Sequence, residues 1–116
     1  MQYALLLYEN ESQFHGLPED EQIKVMEAHM AFAAELRAAG AYVTGMPLDP
    51  VSTARRLMPK GEIQDGPYAD TKEQLGGFYV IHAGSMAEAQ AWATKCPTHR
   101  SGGQIEIRAV PDHEPG

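Results

Sequence analysis

Two parts of this 116-residue chain hold side chains that could move a proton or grip an ion. One is His29, set among apolar residues. The other is the run 65–78, D-G-P-Y-A-D-T-K-E-Q-L-G-G-F, which gathers Asp65, Tyr68, Asp70, Lys72 and Glu73 around a turn. Asp65-Gly66-Pro67 reads as a turn with a carboxylate at its entrance. Gly66 can take a positive φ there, and Pro67 then fixes the next one. An imidazole partly withdrawn from water disfavours its charged form. A carboxylate beside it reverses that and fixes the tautomer, which makes such a pair a usable general acid and base near neutral pH. The other reading of His29 is a core histidine satisfied by a main-chain carbonyl.

The remaining polar residues divide in the same way. Asp70 and Glu73 flank Lys72 and could bind a cation or a polar ligand, or stand as solvated surface charges. Tyr68 could place its hydroxyl in a pocket or pack in a subunit seam. Arg55 and Arg56 offer guanidinium forks suited to an anionic substrate group. Neighbours on a strand point to opposite faces, so only one of the two reaches a given site. The five histidines, His15, His29, His82, His99 and His113, show no zinc-type spacing, and no metal is expected. Cys96 is the single cysteine; it makes no internal disulfide and suits a reducing compartment. Gly76-Gly77 precedes a strand rather than a helix, so it is no phosphate loop. No cofactor is implied.

Composition bounds the classes further. A formal charge of -7 repels phosphate backbones and argues against nucleic-acid binding. Apolar content of 43% and charged content of 22% are ordinary for one globular domain spanning 1–116. The run 3–8 is too short for a membrane span and has no basic segment ahead of it, so a cytoplasmic protein is expected.

The elements that must position these residues follow from pattern. Residues 3–8, Y-A-L-L-L-Y, are apolar on both faces, the mark of a strand covered on both sides. Asn10 to Leu17 reads as loop. Pro18-Glu19-Asp20-Glu21 starts a helix and Gly40 suits its end. On the helical wheel Gln22, Ile23, Val25, Met26, His29, Met30, Phe32, Ala33 and Leu36 fill one half, with His29 near its middle. A strand over 41–48 follows, with Gly45 a candidate bulge and Pro47 an edge signal. Residues 53–58 and 62–64 can pair as a peripheral hairpin across Pro59-Lys60-Gly61. A strand over 78–83 is again apolar on both faces. Ser85-Met86-Ala87-Glu88 is a capping box opening a helix that Pro97 stops. Thr98 to Gly103 reads as loop, and 104–108 alternates as a half-buried strand.

The order is β-α-β, a hairpin insert, then β-α-β. It predicts an α+β, ferredoxin-like split βαβ fold: an antiparallel sheet with two helices on one face. Two strands apolar on both faces need a cover on the helix-free side. A second copy, sheet to sheet as in the dimeric α/β-barrel, is the economical answer, so a homodimer is expected.

With Y-A-L-L-L-Y, the His-bearing helix, A-A-G, the run 65–78, S-M-A-E-A-Q-A-W-A, C-P and I-E-I-R in place, the chain resembles the YCII-related family. More narrowly it is similar to the DGPF branch, with Tyr68 where the name-giving tetrapeptide has Phe. The resemblance implies a ferredoxin-like, usually dimeric fold and an active site built on a histidine and an aspartate, matched here to His29 and Asp65. It also implies that some relatives associate with alternative sigma factors. The expectation is then a cofactor-independent enzyme acting on a small organic acid by isomerase, lyase or hydrolase chemistry. In it His29 moves the proton, Asp65 orients His29, and Tyr68, Glu73 or Arg55 holds the substrate. The alternative is a non-catalytic ligand-binding or regulatory module working with a sigma factor.

Overall fold

The computed structural model describes residues 1–68 and 72–112; Asp70 and His113 lie outside them. The first strand, β1, runs Gln2–Glu9, followed by a short helix α1 at Glu11–His15 and the long helix α2 at Glu19–Ala38. Strand β2 is Tyr42–Pro47, and a 3-10 turn at Val51–Thr53 leads into the hairpin strands β3 (Arg55–Leu57) and β4 (Ile63–Asp65). Then come β5 (Gln74–His82), α3 (Met86–Lys95), α4 (Pro97–Arg100) and β6 (Gln104–Val110). The four long strands form one antiparallel sheet in the order β2-β5-β1-β6, and β3-β4 form a separate two-stranded ribbon. This is the expected α+β, ferredoxin-like arrangement.

Alternation sets what each strand buries. On β1, Tyr3, Leu5 and Leu7 are buried beneath the helices. Leu5 stands opposite Tyr79 of β5 on one side and Ile107 of β6 on the other. Phe32 and Leu36 come down from α2, Ala89 and Ala93 from α3, and Cys96 from the junction between α3 and α4. Each large side chain buried this way contributes about 1.5–3 kcal/mol by removal from water. The alternate positions Ala4, Leu6 and Tyr8, with Phe78 and Val80, lie on the opposite face and are only half-buried.

The helix ends follow their capping residues. Gly40, with φ 70, sits just beyond α2 where the left-handed turn needs no Cβ. Ser85 Oγ accepts from Glu88 N at 3.1 Å, while the Glu88 carboxylate accepts from Gly84 N. That reciprocal bond reaches one residue further back than the ordinary capping box. Three expectations need correction. Asn10 to Leu17 is not all loop, because the Asn10 side chain caps α1 by accepting from Ser12 N and Gln13 N. Thr98 to Gly103 includes α4, whose first residue is Pro97. Gly76 and Gly77 lie inside β5 rather than before it, where their bare Cα atoms admit the Glu9 side chain and the Met46 carbonyl.

Among the described residues no helix is long and apolar enough to cross a membrane. The chain forms a slab of 46 × 40 × 18 Å with a radius of gyration of 15.7 Å. A compact domain of this length would have a radius near roughly 13.4 Å.

Candidate functional site

α2 carries His29 onto the sheet at β5. The site begins with Tyr79, a buried β5 residue whose ring meets Phe32 edge-on at 5.1 Å between centroids. Across the sheet Tyr79 faces Gly45 of the edge strand β2. A Cβ on Gly45 would lie 2.6 Å from the Tyr79 ring, so the glycine exists to let that ring lie flat over β2. The expected bulge at Gly45 is displaced: the register slips between Tyr42 and Thr44 instead.

Over this floor His29 is half-buried, with its Nδ1 2.8 Å from the Tyr79 hydroxyl. The two rings are inclined by 18° with centroids 6.1 Å apart. Burial holds the His29 pKa below its ordinary value, so the ring is neutral at pH 7. Burial, and then the neighbouring Cys96 and Tyr42, push the Tyr79 hydroxyl well above the usual phenol range. Both groups are therefore neutral, and one proton lies between them. If Tyr79 donates to Nδ1, Nε2 carries a hydrogen. If Nδ1 donates to Tyr79, Nε2 is a free base. Sequence reasoning missed Tyr79, which reads only as one more aromatic in an apolar strand.

Asp65 stands elsewhere. It is the last residue of β4, in register with Arg55 of β3, and its Oδ1 accepts from Arg55 Nε at 3.3 Å. Both side chains are largely exposed, so the pair adds little stability. Among the described residues no hydrogen bond or ion pair joins Asp65 to His29 within one chain. The turn after Asp65 is built on close approach. A Cβ on Gly66 would collide with the Val51 carbonyl oxygen, Gly66 N donates to Ala54 O at 2.8 Å, and the Gly66-Pro67 peptide is cis. Gly66 is thus there for proximity and not for a positive φ.

The other expected site residues also lie at the hairpin. The Tyr68 hydroxyl donates to Gln64 O at 3.3 Å, and its ring lies 3.7 Å from the Arg56 guanidinium carbon. Arg55 and Arg56 do point to opposite faces of the ribbon, one toward Asp65 and one toward Gln64. Glu73 is half-buried just before β5. Below the hairpin, the Glu11 carboxylate accepts from Val51 N at 3.0 and 3.1 Å and ties the hairpin root to the first residue of α1. Beside it Glu9 has its pKa raised, by burial first and by Glu11 second, with His15 opposing.

Two of the hollows in the surface stand out. One of about 360 Å³ lies at the far end of the sheet beside His82 and Trp92. The other, about 440 Å³, lies between α2 and α4 with Lys24, Phe32, Lys95 and Arg100 in its walls. His29 lines neither. Among the described residues no group of three or more His, Cys, Asp or Glu is placed to hold a metal ion. Cys96 is fully buried with its pKa raised, chiefly by burial.

Fold and site together define a small α+β domain with a neutral histidine–tyrosine pair beside an edge strand. The chain belongs to the YCII-related family, whose domain matches residues 1–113. It is similar to an uncharacterised protein of Rhizobium meliloti (strain 1021), 35% identical over 120 residues that span 100% of this chain and 97% of that one. In structure it is similar to the 5-chloro-2-hydroxyhydroquinone dehydrochlorinase TftG of Burkholderia phenoliruptrix AC1100, solved in complex with 2,5-dihydroxybenzoquinone. That likeness has a TM-score of 0.59 at 17% identity and covers 97% of this chain and 96% of the other.

Proposed function

We propose that this protein is a cofactor-independent acid–base enzyme acting on a small, acidic organic molecule, with His29 as the proton carrier. The observation that carries this reading is the 2.8 Å contact between His29 Nδ1 and the Tyr79 hydroxyl. It fixes the imidazole and leaves Nε2 without a bonded partner among the described residues. In the base form, Nδ1–H donates to the Tyr79 oxygen and Nε2 accepts a proton from an acidic C–H or O–H of the substrate. The electron pair left behind either returns at a neighbouring atom, giving a tautomer, or expels an anionic leaving group, giving an elimination. The same Nε2–H then returns the proton to the product or to water. A neutral imidazole is what such a base needs at pH 7.

The substrate class is supported by the neighbour's own chemistry. TftG is a dehydrochlorinase bound to a dihydroxyquinone, a flat ring with acidic hydroxyls. For this chain we propose a small enolic, phenolic or carboxylic acid, with Arg55, Tyr68 and Glu73 as candidate substrate contacts and Asp65 as a carboxylate at the rim of the site, the imidazole itself being held by Tyr79. The Asp65-Gly66-Pro67-Tyr68 turn supports a place in the DGPF branch of the family. His29→Asn tests the reading, with 2,5-dihydroxybenzoquinone as a binding probe and halogenated or enolic acids as substrates. Loss of turnover with retained folding is expected. Turnover and probe binding equal to the wild type would overturn it.

We further propose that the working unit is a homodimer with the open sheet faces opposed. The accessible surface is 7999 Å². A folded monomer of this mass would expose roughly 6,200 Å². The excess, doubled over a symmetric pair, is roughly 3,600 Å², within the range of obligate dimer interfaces. Ala4, Leu6, Tyr8, Phe78 and Val80 supply the apolar face. Light scattering that gives the mass of one chain would overturn this.

A further inference from the structure

The β3-β4 hairpin is an unusual object for a chain that folds alone. Its register puts Arg55, Leu57, Ile63 and Asp65 on one face. That face is uncovered: Leu57 is 70% and Ile63 56% exposed, and the Arg55–Asp65 pair stands in solvent. A two-stranded ribbon is marginal without something to pack on. The root is fixed by the Glu11–Val51 bonds and by Gly66 N on Ala54 O, so the ribbon is held out from the body rather than left loose.

A second uncovered apolar surface lies on α2. Ile23, Met26 and Met30 recur at helical spacing on the flank next to His29, and Met26 and Met30 are 61% and 71% exposed. The amphipathic pattern of α2 is therefore wider than the stripe its own sheet buries. The same flank borders the His29–Tyr79 pair, which lines neither hollow described above. One chain thus presents an apolar arm with no seat and an apolar seat with no cover, and the seat adjoins the half-buried His29.

We infer that the hairpin is an exchanged arm. In the dimer proposed above, on which this inference rests, each β3-β4 ribbon lays Leu57 and Ile63 on the partner's Ile23, Met26 and Met30 and brings Asp65, with Arg55, to the mouth of the partner's His29–Tyr79 site. The occupant of each α2 flank is a second copy of this chain. The surface excess is of the size a partner copy would cover, and a twofold axis uses both uncovered patches twice. Arm and seat close the site together. Asp65 is then the carboxylate that faces the imidazole, supplied from the other subunit. Arg55, paired with it, supplies the guanidinium for an anionic substrate.

Cysteine cross-linking tests this, because native Cys96 is fully buried and the new thiols react alone. Leu57→Cys protein and Met30→Cys protein are mixed, unfolded and refolded together, and oxidised. A covalent dimer of the mixture, absent from either variant alone, is expected. A light-scattering dimer that gives no covalent product in the mixture overturns the exchanged arm and leaves the dimer standing. Disulfide closure within one chain of a Leu57→Cys/Met30→Cys double variant, with no link between chains, places the arm on its own helix and also overturns it. The acid's part is read by NMR titration of His29. Asp65→Asn is expected to move the midpoint to lower pH, and an unchanged midpoint would overturn the approach of Asp65. None of these readouts depends on turnover, so they separate failure of the arm from failure of the catalytic reading.

Discussion

The Nδ1 of His29 and the hydroxyl of Tyr79 lie 2.8 Å apart, joining the middle of the long helix to the middle of a central strand. The contact fixes which edge of the imidazole is free, and it ties protonation of the site to packing of the core.

Tyr79→Phe keeps the ring against Phe32 and removes only the hydroxyl. The cost to stability is expected to be about 0.5–1.5 kcal/mol, the net worth of one hydrogen bond. Urea unfolding measures it. Nitrogen NMR of His29 is expected to show a mixture of tautomers in place of one, and turnover to fall with KM little changed.

Acid should weaken the fold through His29. Its folded-state pKa lies below the ordinary 6.5, so in the window beneath 6.5 the unfolded chain binds the extra proton and the folded one does not. Stability therefore rises with pH through this window and is lost as pH falls from 6.5 toward the folded-state value. Glu9 acts in the opposite sense. Its folded-state pKa is raised above 4.5, so the folded chain holds a proton that the unfolded one has released just above that pH. His29→Asn is expected to flatten the first slope and Glu9→Gln the second, with unfolding midpoints compared between pH 4.5 and 7.

The two sides of the sheet should respond differently to charge. Val80→Glu lies on the half-buried open face and is expected to yield folded monomers, seen by light scattering with an intact circular dichroism spectrum. Ile81→Glu, one residue on and fully buried beneath the helices, should fail to fold at all, because an unpaired charge in the core costs several kcal/mol.

Along α2 the cost of truncation should follow burial. Leu36 is fully buried, and Leu36→Ala is expected to cost about 2–5 kcal/mol. Exposed Glu27→Ala should stay within about 0.5 kcal/mol. Ser85→Ala, which removes the cap of α3, falls between them at about 1 kcal/mol.

The sheet, the two main helices and the hairpin were legible because each rests on a local signal. Tyr3 to Tyr8 is apolar throughout, Pro18 and Gly40 bracket α2, and Ser85 and Glu88 mark a helix start. The site was legible only in part. His29 stood out because a histidine amid apolar residues is unusual. Tyr79 did not, since its hydroxyl gains a partner only when α2 is laid across β5, a relation no local pattern encodes. Asp65 was expected to face His29, but the ribbon register carries it into β4 opposite Arg55. Ile23, Met26 and Met30 counted toward the inward half of the wheel, yet they point outward. Periodicity gives the width of an apolar stripe and not how much of it one chain covers.

Gly45 and Tyr79 carry a consequence for how this protein can change. Any side chain at 45 must displace the phenol, whereas a smaller residue at 79 removes the nearest obstacle and leaves the Phe78 carbonyl oxygen at 3.2 Å. Gly45→Ala should therefore be more harmful in the native background than once Tyr79 is Leu, so the effect of one substitution depends on the other. Mutational drift away from this glycine then has to pass through loss of the tyrosine, and with it loss of the histidine's proton partner.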